Sequence, residues 1–433
     1  MSDTVYPPAS ARWAWAFYDW ANSAFFTIIL TFVFARYFSQ AVAESSVQGT
    51  NVWGNTVGVA GLFIAVGSPI LGAIADQGGR RKPWLLFCTA LCVLGSAMLW
   101  FVTPAASDLW FGAFWAGIGI LGAEFAFVFY NAMLPDITPP EHIGRWSGWG
   151  WGLGYIGGVI SLVLCLYGLI ETRPGFLGLD HDQSEHIRAT FILAAVWYAV
   201  FAIPLFLFTP DQPASGHPWR ECIRAGLTQL GRSIRNVRRY GFILRFLVAR
   251  MIYTDGLATI FAFGAVYAGG TFGLNQTEVL KFGILLNVTA GAGALAFGLI
   301  DDRLGGRNTV LVSLVGLMGC TVALLVVESL PLFWTFGLLL GIFVGPAQAS
   351  SRSYLARVAP EHLRTEMFGL FAFSGKATAF AGPLLVGWVT AATDSQRWGM
   401  STIAVFLAIG LILMLTVPRE SHAAAPAPDP TSS

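Results

Sequence analysis

Five charged side chains lie inside long apolar stretches, where charge is rare: Asp19, Glu124, Arg250, Asp255 and Lys376. A buried ion costs several kcal/mol unless it is paired or reached by water. Carboxylates and an ammonium that face one wet cavity suit a zwitterion. Lys376 would then hold its carboxylate group, and Glu124 or Asp19 its amine. The alternative for each residue is a buried ion pair that only stabilises the structure.

The stretches around these residues are long enough to cross a bilayer, which takes roughly 20 apolar residues. Hydrophobic residues make up 55% of the 433 residues and charged residues 11%, too little charge for a normal soluble surface. The sequence therefore predicts an all-α integral membrane protein. The twelve predicted spans are about 13–40, 53–75, 83–103, 109–133, 147–170, 189–209, 241–269, 278–300, 308–327, 331–351, 366–390 and 398–418.

The distribution of basic residues predicts the orientation of the spans. With the N-terminus in the cytoplasm, most of the 25 Lys and Arg fall in inside segments. The exceptions on the outer side are Arg36, Arg173, Arg188, Lys281 and Arg397. Because cytoplasmic loops carry an excess of Lys and Arg, both termini are expected in the cytoplasm. The excess of Arg over Lys, with much Ala and Gly, suggests a bacterium and hence its inner, plasma membrane.

Two short charged hinges repeat each other in the two halves of the chain. Each follows one predicted span and precedes the next. The shared positions are Gly72, Asp76, Gly79, Arg80 and Arg81 in the first hinge and Gly298, Asp302, Gly305 and Arg307 in the second. Duplicated helical bundles are typical of secondary transporters, whose substrate site lies between the repeats near the middle of the bilayer.

The repeat predicts five regions. These are a cytoplasmic tail at 1–12, a six-helix bundle at 13–209, a cytoplasmic linker at 210–240, a second six-helix bundle at 241–418 and a disordered tail at 419–433. In the linker, apolar residues recur at helical spacing among arginines, which predicts a basic amphipathic helix on the inner membrane surface. A nucleic-acid or calmodulin-type target is the less favoured alternative. The apolar positions are Trp219, Ile223, Leu227, Leu230, Ile234 and Val237, and the arginines include Arg238 and Arg239.

The hinge carboxylates are predicted to bind helix starts in the opposite half. Asp76 would lie at the positive end of the helix that begins near Thr365, and Asp302 at that of the helix near Trp146. Such contacts would close the cytoplasmic face. The alternative is that the hinge charges only fix the topology of the spans.

Together the two hinges resemble the loop signature of the major facilitator superfamily, and the resemblance covers about residues 13–418. More narrowly, the segments 17–25, 130–136 and 147–158 look like the branch called the unknown major facilitator family, which is related to fungal vacuolar effluxers of the autophagy pathway. The resemblance implies twelve transmembrane helices in two pseudo-symmetric six-helix bundles. In the fungal relatives the implied cargo is amino acids.

The resemblance also implies which residues face the central path. In this fold the first, fourth, seventh and tenth helices line it, so Asp19, Glu124 and Asp255 resemble cavity residues. The candidate substrate or coupling residues are Tyr18, Asp19, Glu124, Tyr130, Asn131, Asp255 and Lys376. Arg250 lies about one turn before Asp255, where it could equally extend to the lipid headgroups.

Three residues depart from the superfamily pattern, and the one in the fourth span weighs against drug antiport. Gln77 replaces a basic residue of the hinge signature, the fourth span carries Glu124 and lacks the exporters' arginine, and Tyr155 stands where the exporters' fifth span has proline. The glycines of that span, from Gly150 to Gly158, are then expected to let helices pack closely.

The sequence thus predicts a transporter that moves a small polar or zwitterionic solute by alternating access, with amino acids or short peptides favoured. Proton coupling through Glu124 or Asp19 is a further expectation. The alternatives are a sugar or drug exporter and, outside transport, a receptor. Neither a clustered nucleophile and base nor a metal or cofactor site is evident, so no enzymatic activity is expected. The expected partners are the solute and the lipid bilayer, without nucleic acid, and the protein is expected to be a monomer.

Overall fold

The computed structural model describes residues 6–171, 178–235 and 240–420. In this part of the chain, twelve helices are long and apolar enough to cross a membrane, and strands are absent. The predicted all-α fold is confirmed. The spans, in chain order, are Ala9–Val42, Ser46–Gly78, Lys82–Phe101, Ala106–Ile137, Pro140–Ile170, Glu185–Phe208, Gly241–Gly264, Glu278–Leu304, Gly306–Val326, Leu330–Val358, Glu361–Thr393 and Gln396–Leu415.

Two spans differ from their predicted bounds in ways that affect the site. The tenth span was predicted to end at residue 351, but it continues to Val358 and so includes Arg352 and Arg357. The eleventh span is interrupted: one helix ends at Lys376 and the next begins at Ala381. Hydropathy alone detects neither feature. An arginine ends an apolar run even where the helix continues, and a short turn leaves the apolar run unbroken even where the helix is interrupted.

The two halves pack together most closely along two pairs of helices, the second span with the eleventh and the fifth with the eighth. Glycine makes this contact possible. At Gly72 a Cβ atom would overlap the backbone of Thr365, and at Gly369 it would overlap the backbone of Ser68. The end of the molecule that contains Asp76 and Asp302 is therefore closed, and we call it the latch face.

Glycines line two sides of the fifth span. One row contacts the first span and consists of Gly150, Gly154 and Gly157, and the other contacts the eighth span and consists of Gly148 and Gly152. A Cβ atom at Gly148 would lie 2.7 Å from the Cα atom of Gly298. The close helix packing predicted for these glycines is confirmed, and it joins the two halves as well as neighbouring helices within one half.

The linker contains the predicted helix, Trp219–Arg235, but the helix lies against the protein. Cys222 is buried, and at Gly226 a Cβ atom would lie 2.8 Å from the Cα atom of Ile74 in the second span. Trp219 and Leu227 remain 57% and 48% exposed. The side of the linker helix that contacts the second span is thus centred on two small residues, Cys222 and Gly226. It differs from the predicted apolar stripe.

Some predicted features lie outside the described residues. These are Arg173 of the outer loop, Val237, Arg238 and Arg239 of the linker, and 421–433 of the tail. Glu420, placed in the disordered tail by the prediction, accepts a hydrogen bond from the backbone N–H of Arg307 at 3.0 Å.

We expect Gly369→Val to force the second and eleventh spans apart, because the new side chain would overlap the backbone of Ser68 and Pro69. Overpacking of this kind costs about 1–3 kcal/mol. Thermal unfolding in detergent should show a lower Tm. Ser68 is buried in the parent protein, so a cysteine at this position, introduced by Ser68→Cys, should become accessible to maleimide when Gly369→Val is also present. Gly387→Val on the same span is the matched control, since nothing lies within 4 Å of that position. Equal behaviour of the two variants would contradict this packing.

Candidate functional site

Asp19 forms a buried ion pair with an arginine from the other half of the molecule. Its Oδ2 atom lies 3.1 Å from Nη1 of Arg352 and accepts a hydrogen bond from the Tyr130 hydroxyl at 2.9 Å. Nη1 of Arg352 also donates to Oδ1 of Asn131 at 3.1 Å. Asp19 and Arg352 are only 4% and 1% exposed. Both charges are thus removed from solvent. A buried ion pair is tolerated only when its geometry is good and further hydrogen bonds satisfy its polar atoms.

Arg352 donates these further hydrogen bonds to the fifth span. Its Nε atom donates to Oγ of Ser147 at 2.8 Å and its Nη2 atom to the carbonyl oxygen of Ser147 at 2.6 Å. The guanidinium carbon lies 5.0 Å from the ring centroid of Trp15, within the range of cation–π attraction. A side chain of the tenth span is therefore enclosed by polar and aromatic groups of the N-terminal half.

The sequence prediction missed Arg352 and assigned Asp19 to a substrate amine. In this conformation Asp19 is paired with Arg352, and its assignment to a substrate amine stays a prediction. The omission followed from ending the tenth span at 351. A usable signal was present, because Gln348, Ser350, Ser351 and Ser353 surround the arginine. A polar run that continues a helix suggests a buried polar contact.

Two predicted aromatic residues have different positions. Tyr130 contacts Asp19 and stacks on Trp15, with ring centroids 4.4 Å apart. Tyr18 points into the N-terminal half, where its hydroxyl lies 2.6 Å from Oγ1 of Thr89 and 2.7 Å from the Tyr198 hydroxyl. The Tyr18 hydroxyl thus lies within the N-terminal half, and a role for Tyr18 in substrate binding or coupling stays a prediction. It neighbours Asp19 in sequence, but successive helical residues point in different directions.

Glu124 and Lys376 form the second ion pair between the halves. Nζ of Lys376 lies 2.7 Å from Oε1 of Glu124, which joins the fourth span to the eleventh. The side chain of Lys376 is 31% exposed and that of Glu124 is 15% exposed, in contrast to the nearly complete burial of Asp19 and Arg352. This pair is consequently the more accessible of the two to a small solute.

Arg250 is held by the eleventh span. Its Nη1 atom donates to the carbonyl oxygen of Phe371 at 2.6 Å and to Oγ of Ser374 at 2.7 Å. The guanidinium carbon lies 3.4 Å from the Phe371 ring centroid. The alternative in which Arg250 extends to the headgroups is therefore wrong.

Asp255 is buried but separate from the two ion pairs. Its side chain is 2% exposed, and Oδ1 has no hydrogen-bond partner among the described residues. In that same part of the chain it forms no ion pair. The structure does not bring Asp255 together with Asp19 or Glu124.

At the latch face, both hinge carboxylates contact the predicted helix starts. Asp76 accepts from the backbone N–H groups of Thr365 at 3.0 Å and Glu366 at 2.8 Å. Asp302 accepts from the backbone N–H of Arg145 at 2.9 Å and from its Nε at 3.0 Å. These positions combine free N–H donors with the positive end of a helix dipole. The predicted contacts are present, and both join opposite halves.

Further ion pairs surround these contacts and were not predicted. The Asp136 carboxylate binds Arg81 from its own half and Arg364 from the other half. Nη1 of Arg357 lies 2.5 Å from Oδ1 of Asp301. The latch face is therefore a network of several charges, and the two hinge aspartates are only part of it.

The other hinge residues have local roles. Gly79 and Gly305 adopt φ angles of +79° and +83°, which favour glycine. Arg80 is exposed. Arg307 donates to the carbonyl oxygens of Leu415 and Val417 at the end of the twelfth span. Of the predicted hinge arginines, Arg81 contacts the opposite half through Thr365 Oγ1 at 2.9 Å, whereas Arg307 binds within its own half.

A search of the described residues finds no group of three or more His, Cys, Asp or Glu side chains that could hold a metal ion. The rings of His181, before the sixth span, and His186, at the start of that span, stack with centroids 4.0 Å apart.

Comparison with known proteins agrees with this architecture. The family described as Vacuole effluxer Atg22 like matches residues 41–145 and 140–425. The chain belongs to this family. It is 30% identical over 415 residues to the uncharacterized MFS-type transporter YxiO of Bacillus subtilis (strain 168). The aligned residues cover 94% of this chain and 95% of that protein. It is 25% identical over 293 residues to Autophagy-related protein 22-1 of Aspergillus niger and spans 46% of its length.

Solved structures show the same fold at low sequence identity. The proton:xylose symporter XylE bound to 6-bromo-6-deoxy-D-glucose matches with a TM-score of 0.74 and 12% identity, over 95% of this chain and 96% of that one. The human organic anion transporter MFSD10 matches with a TM-score of 0.69 and 16% identity, over 94% and 100%. The protein is thus a major facilitator superfamily transporter related to the Atg22 effluxers.

The Asp19–Arg352 pair predicts a specific pattern of stability. Asp19→Asn alone should leave an uncompensated buried charge and lower the free energy of unfolding by about 3–5 kcal/mol. The double variant Asp19→Asn, Arg352→Gln should recover most of this loss, because the neutral amides retain hydrogen bonds to the surrounding polar groups. Thermal unfolding in detergent measures both. Arg220→Gln, which changes an exposed arginine of the linker helix, should have no effect. A single variant as stable as this control would contradict the pair.

Proposed function

We propose that this protein moves a small polar or zwitterionic solute, with amino acids or short peptides favoured, by alternating access of the two halves. The observation that carries the proposal is the ion pair between Glu124 and Lys376, which joins the fourth and eleventh spans at 2.7 Å. It presents one carboxylate and one ammonium at a partly exposed position between the halves. A zwitterion carries the complementary two charges.

The chemistry of exchange supports this assignment. A zwitterionic solute can place its amine on Glu124 and its carboxylate on Lys376, so each charge gains a new partner when the internal pair separates. Because neither ion is left uncompensated, the exchange avoids the cost of an unpaired charge in the membrane. A neutral sugar offers no such compensation, which is why we favour the zwitterion.

Alternating access requires the contacts between the halves to separate in turn. In the conformation described, Asp76 and Asp302 bind helix starts of the opposite half, and Arg352 is enclosed by the N-terminal half. We propose that solute binding at Glu124 and Lys376 shifts the balance between this state and one in which the latch face is open. A ligand shifts such an equilibrium only by its difference in affinity for the two states.

The proposed orientation places the latch face in the cytoplasm. Its support is the concentration of basic residues at this end, since cytoplasmic loops carry an excess of Lys and Arg. Arg80, Arg81 and Lys82 lie where the second span ends and the third begins, and Arg303 and Arg307 lie where the eighth ends and the ninth begins. Both termini would then be cytoplasmic and the protein would lie in the plasma membrane.

We expect Asp76→Asn to weaken the closed latch face and to slow transport while the protein remains folded. The amide loses the negative charge that interacts with the start of the eleventh span. The labelling rate of Ser68→Cys should rise, and uptake into proteoliposomes should fall. Asp302→Asn should act in the same direction. Unchanged labelling and turnover in both variants would leave these residues with a role in topology alone.

If Glu124 and Lys376 bind the solute, Lys376→Met should abolish binding of amino acids, and Glu124→Gln should retain weak binding. Binding is measured by thermal shift, and transport by uptake into proteoliposomes. Lys281→Met and Glu328→Gln are matched controls because both residues are exposed in the C-terminal half.

A purely structural pair gives a different result. Either single variant would then lower the Tm, and the double variant Glu124→Gln, Lys376→Met would recover both stability and transport. Full transport by the double variant would therefore contradict the assignment of this pair to the solute.

A further inference from the structure

The charges within the spans are paired unevenly. Among the described residues, Asp19 is bound by Arg352 and Glu124 by Lys376. Both carboxylates therefore have a cation in contact. Asp255 has none among the described residues. The carboxylates first considered for proton coupling, Asp19 and Glu124, are thus the two that are already neutralised in this conformation.

The surroundings of Asp255 contain polar groups without partners. Its Oδ1 atom and the Oγ1 atom of Thr378 are both buried, and neither has a hydrogen-bond partner in the described part of the chain. The Thr378 hydroxyl nevertheless lies beside the Asp255 carboxylate. The nearby Thr259 hydroxyl donates to the backbone oxygen of Asp255 at 2.6 Å and not to its carboxylate. Among the described residues, a charged carboxylate in this position would have no cation in contact.

The interruption of the eleventh span lies against this carboxylate. Between Lys376 and Ala381 the backbone forms shorter turns, in which the N–H of Ala379 contacts the oxygen of Lys376 at 3.4 Å and that of Ala381 the oxygen of Thr378 at 2.7 Å. Gly382 permits the close approach, since a Cβ atom there would lie 3.1 Å from the backbone oxygen of Asp255. In transporters, interrupted helices of this kind form ion sites.

Most charged groups on the helices around Asp255 have other partners. The Glu366 carboxylate, like Oδ1 of Asp255, has no hydrogen-bond partner among the described residues, and Arg245 and Lys281 are exposed. On its own span, Arg250 binds Phe371 and Ser374, and Tyr253 binds Ser351. The other paired groups on the packed spans are Lys376 with Glu124, Arg352 with Asp19, Arg397 with the oxygens of Leu325 and Val327, and, at the latch face, Arg357 with Asp301 and Arg364 with Asp136. None of these contacts supplies a cation to Asp255.

We propose that Asp255 is the proton-binding site of this transporter, located at the interruption of the eleventh span. The inference rests on the proposed transport function and extends it. A proton binds to the carboxylate and gives a neutral acid whose O–H can donate to the Thr378 hydroxyl. Release of the proton leaves a charge that must find polar partners, and the interrupted backbone is the segment that can rearrange around it.

The position of Lys376 connects this step to the solute. Lys376 is the last residue of the helix before the interruption, and Thr378 lies two residues further. A rearrangement of this segment on proton release would therefore move Lys376 relative to Glu124. Proton binding and solute binding would thus act on one short stretch of the eleventh span.

The first test does not need the solute. Infrared difference spectroscopy of the purified full-length protein at neutral pH should show the carbonyl stretch of a protonated carboxylic acid that is lost in Asp255→Asn. The band should be retained in Glu328→Gln, which changes an exposed carboxylate, and shifted in frequency in Thr378→Val. Because Asn is a neutral isostere of the protonated acid, the Tm of Asp255→Asn should equal or exceed that of the parent protein.

The second test uses transport. In proteoliposomes with amino acids as the probe, an inward proton gradient should drive uptake by the parent protein above equilibrium. Asp255→Asn should lose this accumulation, whereas Glu328→Gln, which changes an exposed carboxylate, should keep it. Absence of any uptake by the parent protein would count against the proposed function, and the infrared result would still decide the site.

Three results would overturn the inference. The first is the absence of an acid band assignable to Asp255, and the second is a lower Tm for Asp255→Asn, which would indicate a cation partner. The third is a band that disappears when NaCl replaces choline chloride, or accumulation driven by a sodium gradient, because either would assign the site to a metal cation.

Discussion

The contact on which the rest of the structure depends is the burial of Arg352 of the C-terminal half among polar groups of the N-terminal half. A guanidinium with 1% exposure is tolerated in the membrane only with a full set of hydrogen-bond acceptors. Asp19, Asn131 and Ser147 supply them from the first, fourth and fifth spans. Three spans must therefore meet the tenth at one point, which fixes how the two halves sit against each other in this state.

Close packing makes this contact possible. Gly150 lies where a Cβ atom would be 2.7 Å from Oδ2 of Asp19 and 3.0 Å from Nη2 of Arg352. At the latch face, Gly72 and Gly369 permit the second and eleventh spans to touch backbone to backbone. The same contacts are reversible in principle, because ion pairs and helix-start hydrogen bonds have alternative partners in a solute or in water. A structure joined by packing and polar contacts of modest strength can therefore have two stable arrangements of its halves.

Much of this arrangement could be predicted from the sequence. Apolar runs gave twelve spans, and the repeated hinges indicated that Asp76 and Asp302 contact helix starts in the opposite half, as they do. Hydropathy could not reveal Arg352, since an arginine at the end of an apolar run marks a loop by that measure. Nor could it distinguish Tyr18, which faces into one half, from Tyr130, which faces Asp19. These properties depend on the rotation of each helix and on its partner, which one sequence does not specify.

The central claim is that the two halves move relative to each other by opening the latch face. The most direct measurement is the distance between spin labels at Arg80→Cys and Glu361→Cys, two exposed positions on opposite halves, in a chain without its five native cysteines. The account predicts a short distance in the parent protein and a second, longer distance whose population increases with amino acids and in the Asp76→Asn variant. A single distance that neither the solute nor this substitution changes would contradict it.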